Sequence, residues 1–96
     1  MEQELCHILK QTEESYIATH PGTHEKRENW QVWYSQWLLM FFDLESIFGY
    51  VPSNGQLQFS LLQGEIAFTA GQQKETWSQY VGSRMYQLLA KKKNSD

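Results

Sequence analysis

The sequence predicts an all-α protein, a four-helix bundle built from two duplicated helix hairpins. Four segments carry apolar residues at spacings of three and four, which is the repeat of an amphipathic helix. Proline and glycine residues separate most of these segments. No stretch of four or more residues alternates cleanly between apolar and polar side chains, as a half-buried strand would. The 96 residues suit a single domain over residues 1–96, and 41% hydrophobic residues exclude a disordered chain.

The first helix is predicted over residues 3–19. Its apolar face consists of Leu5, Ile8, Leu9, Thr12 and Tyr16. The helix must end before Pro21, because the residue that precedes a proline is displaced from the helical region, and Gly22 then permits a turn.

The second helix is predicted over residues 29–42, with Asn29 as its N-cap. Its apolar face consists of Trp30, Trp33, Tyr34, Trp37, Leu38 and Phe41. Residues 43–48 fit one further short turn, which Gly49 would close.

The third helix is predicted over residues 54–70 and the fourth over residues 76–92. Two residue pairs fit capping boxes at the starts of these helices: Ser53 with Gln56, and Thr76 with Gln79. The apolar face of the third helix consists of Leu57, Leu61, Gly64 and Phe68. That of the fourth consists of Trp77, Tyr80, Val81, Met85 and Leu88.

The two halves of the chain read as copies, hairpin 1 over about residues 1–48 and hairpin 2 over about residues 53–93. At a constant offset of 52, Leu5, Leu9, Glu13 and Tyr16 recur as Leu57, Leu61, Glu65 and Phe68. At an offset of 47, Glu28, Trp30, Trp33, Leu38 and Phe41 recur as Glu75, Trp77, Tyr80, Met85 and Leu88. Helical periodicity alone also produces such matches, but two Glu-x-Trp-x-x-aromatic segments favour duplication. Two such hairpins bury their apolar stripes against each other in a four-helix bundle.

The start of the second helix reads Glu28-Asn29-Trp30-Gln31-Val32-Trp33-Tyr34. This segment resembles a set of small uncharacterised bacterial helical proteins that have a Trp-x-x-Trp-Tyr segment. The resemblance covers the second helix and the loop before it, and it implies a helical fold but no catalytic residue. The second copy departs from the pattern, since it reads Trp77-Ser78-Gln79-Tyr80-Val81.

Charge and composition argue against several classes of function. A net charge of -3 argues against a nucleic-acid binder. Membrane insertion is not expected, because the longest apolar run, residues 37–42, is far too short and is followed by acidic residues. The single cysteine, Cys6, cannot form an intramolecular disulfide, and the acidic opening of the chain is unlike a signal peptide. We therefore expect a cytoplasmic protein.

The sequence offers no catalytic arrangement, so we expect a protein that is not an enzyme and needs no cofactor. Cys6 and His7 are adjacent and point about 100° apart on a helix, so their side chains do not face each other. None of the glycines opens a phosphate-binding loop. His20 and His24 are only weak metal candidates, because zinc needs three or four ligands and this pair spans a Pro-Gly turn.

Two functions remain open. The first is a protein–protein interaction module, such as an adaptor, a regulator or an assembly factor. The alternative is a helical bundle that binds a small molecule or a metal. Its pocket between the two halves would be lined by Trp30, Trp33, Trp77 and Tyr80.

A second apolar stripe on the third helix favours the interaction module. It consists of Phe59, Leu62 and Ile66. At about 100° per residue it lies nearly opposite the core face, and the first copy has His7, Lys10 and Glu14 there. Val32 and Met40 are a similar excess on the second helix. These residues either pack on the 43–48 segment or form an exposed patch, which would bind a protein partner or a second copy in a homodimer.

Overall fold

The computed structural model describes residues 2–19, 29–71 and 74–90. Within these residues the protein is all-helical, with five α-helices and no β-strand. The helices are α1 (Glu2–Thr19), α2 (Trp30–Phe41), α3 (Leu44–Phe48), α4 (Asn54–Ala70) and α5 (Trp77–Leu89). The all-α prediction is therefore confirmed. The four long helices begin and end within three residues of their predicted bounds, and the largest difference is at the end of α5.

Side chains cap the starts of α4 and α5. Ser53 forms the predicted capping box: its Oγ accepts a hydrogen bond from the backbone N–H of Gln56 at 3.1 Å, and Gln56 Oε1 accepts one from the backbone N–H of Ser53 at 2.8 Å. Thr76 Oγ1 accepts a longer bond, 3.4 Å, from the backbone N–H of Gln79, without the reciprocal bond that completes a capping box. The start of α4 is therefore held by two hydrogen bonds and that of α5 by one.

Asn29 precedes α2 but does not cap it. Its φ of 65° lies in the left-handed region, and its side chain makes no capping hydrogen bond. An N-cap side chain reaches the first N–H groups of a helix from extended backbone, and asparagine is among the residues that tolerate the left-handed region instead. The backbone carbonyl of Asn29 accepts a hydrogen bond from the N–H of Val32 at 3.1 Å. Asn29 is therefore the N-cap residue of α2 by position, as predicted, but its side chain does not cap the helix.

α3 is the short turn that the sequence predicts between residues 43 and 48. Asp43 begins it by accepting a hydrogen bond from the backbone N–H of Ser46 at 3.3 Å, and Gly49 ends it with a φ of 89°. The apolar residues of this turn are all buried in the core: Leu44, Ile47 and Phe48.

The long helices pack mainly across the two halves of the chain. α1 packs chiefly on α5 and α2 on α4, whereas α1 and α2 contact each other less; α4 also packs on α5. α1 and α5 run antiparallel, since Glu2 accepts a hydrogen bond from Ser83 Oγ at 2.8 Å and Cys6, one turn later, bonds to Gln79. Both halves contribute to one core, whose fully buried members include Leu5, Leu9, Leu38, Leu57, Leu61, Val81 and Met85.

Two glycines allow the helices to approach closely. A Cβ placed on Gly82 would lie 2.7 Å from Cys6 Sγ and 3.0 Å from Cys6 Cα, so α5 touches α1 at this point. A Cβ on Gly64 would lie 2.9 Å from a methyl carbon of Val81, where α4 crosses α5. Neither distance leaves room for a side chain, so these positions fix the spacing of α5 from both of its neighbours.

Candidate functional site

The predicted stripe of α4 lies on the solvent side of the helix. The exposed fractions of its side chains are 63% for Phe59, 37% for Leu62 and 66% for Ile66. Leu57 and Leu61, on the other face, are fully buried. α4 is therefore fixed by its core face and presents three large apolar side chains to solvent.

α3 does not cover this stripe. The sequence leaves open whether the extra apolar residues of α4 pack on residues 43–48 or stay exposed. All three apolar residues of α3 enter the core, where α3 lies against α1. Phe59 and Ile66 are about two-thirds exposed, so the stripe forms an exposed patch and does not pack on residues 43–48.

The apolar residues of α2 divide between core and surface. Met40 is 71% exposed, and Val32 is half-buried. Phe41 belongs to the predicted apolar face but is 57% exposed, and its counterpart Leu88 is 50% exposed. Both lie in the last turn of their helices. In α5 the core still reaches this turn, because Leu89, next to Leu88, is buried. Periodicity alone therefore does not reveal which apolar residues of a last turn are buried.

The solvent face of α4 is free of charge. Its exposed residues are Asn54, Gly55, Gln56, Phe59, Leu62, Ile66, Thr69 and Ala70. The one charged residue of α4, Glu65, is half-buried, and its Oε1 accepts a hydrogen bond from Trp77 Nε1 at 2.5 Å. Next to Leu62, Gln63 holds a buried Oε1 that has no hydrogen-bond partner among the described residues. The sequence does not predict this buried atom of Gln63, because a single glutamine in a helix is common and its burial cannot be inferred from the apolar spacing.

An aromatic cluster joins the two halves at the start of α2, the end away from Met40 and Phe41. Trp30 and Trp77 are the first residues of α2 and α5, are each only 8% exposed, and meet edge to face with ring centroids 5.8 Å apart. Tyr34 contacts both rings, at 4.9 Å from Trp30 and 5.7 Å from Trp77. Burial, with a smaller contribution from the nearby Glu13, raises the pKa of Tyr34, so its phenol stays neutral. These rings fill the space between the halves.

The remaining two residues of the predicted pocket belong to different contacts. Trp33 stacks on Trp37 at 5.0 Å and meets Tyr16 edge to face at 5.2 Å. Tyr80 packs against Phe68 at 5.7 Å.

Two shallow clefts of about 400 Å³ each are formed by described residues, one between α1 and the start of α5 and one between α1 and α2. Neither is lined by Trp30, Trp33, Trp77 or Tyr80.

The Cys6 thiol is unsuited to nucleophilic chemistry. It is buried and donates a hydrogen bond to the backbone carbonyl of Gln79 at 3.6 Å. Burial raises its pKa above the usual value, and the carboxylates of Glu2 and Glu75 act in the same direction, while a hydrogen bond with Ser83 opposes them. His7 is exposed and bonds to Gln11 instead, at 3.3 Å. At neutral pH the thiol therefore remains protonated.

Neither a metal-binding cluster nor a membrane-spanning helix occurs in the described part of the chain. Within residues 2–19, 29–71 and 74–90, no group of three or more histidine, cysteine, aspartate or glutamate side chains could hold a metal ion. His20 and His24 lie outside the described residues. No described helix has the length and apolar character needed to cross a membrane.

No protein-family model, no curated protein and no solved structure matches this chain. The resemblance of residues 28–34 to small bacterial helical proteins therefore remains a prediction.

Proposed function

We propose that this protein is a non-enzymatic protein–protein interaction module that binds another polypeptide through the exposed stripe of α4. The observation that carries the proposal is the exposure of Phe59, Leu62 and Ile66 on one uncharged helix face. Contiguous apolar patches on a folded protein usually mark an interaction site, whereas single exposed apolar residues need no explanation. We propose that Val32 and Met40 also belong to this surface, since they lie on α2, which packs on α4.

The position of the stripe within a duplicated fold supports this proposal. We propose that the protein is a four-helix bundle made of two copies of one hairpin. Residues matched at the offset of 52 share their burial: Leu5 and Leu57 are fully buried, as are Leu9 and Leu61. Trp30 and Trp77, matched at the offset of 47, are equally buried and in contact.

Hydrogen bonds between the halves are similarly placed, although Ser35 and Ser83 are not matched at the offset of 47. Glu2, the first residue of α1, accepts a hydrogen bond from Ser83 of α5. Asn54, the first residue of α4 and the counterpart of Glu2, bonds through its Oδ1 to Ser35 Oγ of α2 at 2.6 Å. Each hairpin thus ties the start of its first helix to the second helix of the other hairpin.

The two proposed copies differ at the positions of the stripe, which is apolar in α4 and polar in α1. At the positions of Phe59, Leu62 and Ile66, α1 has the exposed polar residues His7, Lys10 and Glu14. A bundle of this kind therefore does not need apolar residues at these positions for its core. We also propose that the protein works in the cytoplasm, where its single unpaired cysteine suits the reducing conditions.

A photo-crosslinking experiment tests the interaction surface. Benzoylphenylalanine is introduced at position 62 and, as a matched control, at position 17, because Ile17 is 58% exposed on α1, outside the stripe. We expect a covalent adduct to a polypeptide from position 62 and none from position 17. Adding Ile66→Glu to the position-62 variant should abolish the adduct while circular dichroism stays unchanged. Absence of an adduct at position 62, in purified protein and in cells that express it, would refute the proposal.

A further inference from the structure

We infer that the polypeptide bound by the α4 stripe is a second copy of this chain, paired through α4 around a twofold axis. The inference rests on the proposed function, because it names the partner of that surface. In a twofold dimer both chains use the same patch, so every feature of the patch must be compatible with its own copy. The charge and the spacing of the stripe meet this requirement.

The charge of the surface favours pairing with a copy. Each chain has a net charge of -3, so two copies repel each other at a distance. The exposed residues of α4 carry no charge, so contact through this face brings no like charges together and buries none. The same positions of α1 include Lys10 and Glu14, which would have to lose their hydration in such a contact. Of the two matched faces, that of α4 is therefore the one suited to self-association.

The spacing of the stripe sets the register of the pair. Phe59 and Ile66 are two turns apart, about 10 Å along the helix. The midpoint between them falls between Leu62 and Gln63. An antiparallel pair centred there places Phe59 against the partner's Ile66 and Leu62 against its own copy. In an antiparallel pair the positive end of one helix dipole lies beside the negative end of the other, which is favourable, whereas a parallel pair places like ends together.

Sedimentation equilibrium of the purified protein tests self-association. Over a range of concentrations we expect a mass that reaches twice the chain mass of 11.4 kDa. Ile66→Glu should halve that mass and leave the helical circular dichroism unchanged. Ile17→Glu is the matched control, since it introduces the same change at an isoleucine that is 58% exposed elsewhere, and it should remain a dimer.

Charge-pair variants test the register. Phe59→Lys and Ile66→Glu should each be monomeric alone. When they are mixed, a heterodimer should form, because the antiparallel register sets the introduced lysine against the introduced glutamate and leaves one native contact between phenylalanine and isoleucine. A parallel pair would set the lysine against the partner's Phe59, and the mixture would stay monomeric, which would overturn the proposed register.

The two proposals fail in distinguishable ways. A wild-type protein that is monomeric at every concentration, but whose position 62 crosslinks to a different protein in cells, overturns self-pairing and leaves the interaction module in place. A monomer without any adduct at position 62 overturns both. If Ile17→Glu dissociates the dimer as Ile66→Glu does, the α4 face is not the interface.

Discussion

At the scale of single residues, Gly82 sets how closely α1 approaches α5. A Cβ at this position would meet both the side chain and the Cα of Cys6. The sulfur atom can move by rotation of its side chain, but the Cα belongs to the backbone of α1. Relief would therefore require the two helices to separate, which would loosen the largest contact between the halves.

We expect Gly82→Ala to lower the free energy of unfolding by about 1–3 kcal/mol, because overpacking outweighs the higher helix propensity of alanine. Urea denaturation measures the change. Gly55→Ala is the control: the nearest atom to its Cβ would be Ser53 Oγ at 3.9 Å, so this variant should be more stable by about 0.5–1 kcal/mol. A Gly82→Ala protein as stable as the wild type would contradict the close approach of α1 and α5.

The paired tryptophans give a second prediction at this scale. Trp30→Ala and Trp77→Ala should each cost about 3–5 kcal/mol of stability, because each removes a buried ring that contacts the other and Tyr34. Thermal and urea unfolding measure these losses. Leu88→Ala is a control at a half-exposed apolar position and should change stability by about 0.5 kcal/mol or less. Losses below about 1 kcal/mol at both tryptophans would place them at the surface.

At the scale of helices, the sequence identifies the elements better than their partners. Spacings of three and four, together with the capping pair Ser53 and Gln56, predict α4 at the bounds that the structure has. Asn29 fails as a cap because its backbone conformation depends on how the chain enters α2, which a residue preference does not encode. The apolar stripe of a helix shows which face is buried, but not which helix covers it. The preference of α1 for α5 over α2 was therefore not predictable from periodicity.

The unequal caps of α4 and α5 give a prediction for these helices. Ser53→Ala removes the acceptor of a complete capping box, so we expect a loss of about 1 kcal/mol in stability. Thr76→Ala removes a single, longer hydrogen bond of 3.4 Å and should cost less. Chemical denaturation of both variants provides the comparison. Equal losses, or a larger loss for Thr76→Ala, would show that the shorter hydrogen bond to Ser53 Oγ is no more stabilising than the longer one to Thr76 Oγ1.

At the scale of the whole molecule, the comparison of the two halves is what predicts the candidate surface. Phe59, Leu62 and Ile66 stand out because their counterparts in α1 are polar, and the structure leaves them exposed. The same comparison does not predict that Trp30 and Trp77 fill the space between the halves, because ring packing depends on helix spacing. Gln63 was missed for a related reason: only the folded chain shows which polar atom is buried without a partner.

Because the long helices pack across the halves, we expect neither half to fold by itself. Separate polypeptides of residues 1–51 and 52–96 result from a cut in the linker, where Val51 is exposed. Each should have low helicity alone, since its apolar stripe lacks the partner helices, and mixing should restore the helical circular dichroism. Cooperative thermal unfolding of either polypeptide alone would contradict the expected dependence of one half on the other.

The packing of α1 on α5 also constrains the order in which the chain can fold as it is made. α1 leaves the ribosome before α5, yet its main docking surface is on α5. Until α5 has emerged, Leu5 and Leu9 have no lasting partner and remain open to water, to chaperones or to other nascent chains. Docking of α1 on the core therefore waits for the synthesis of α5, and until then the apolar face of α1 stays exposed.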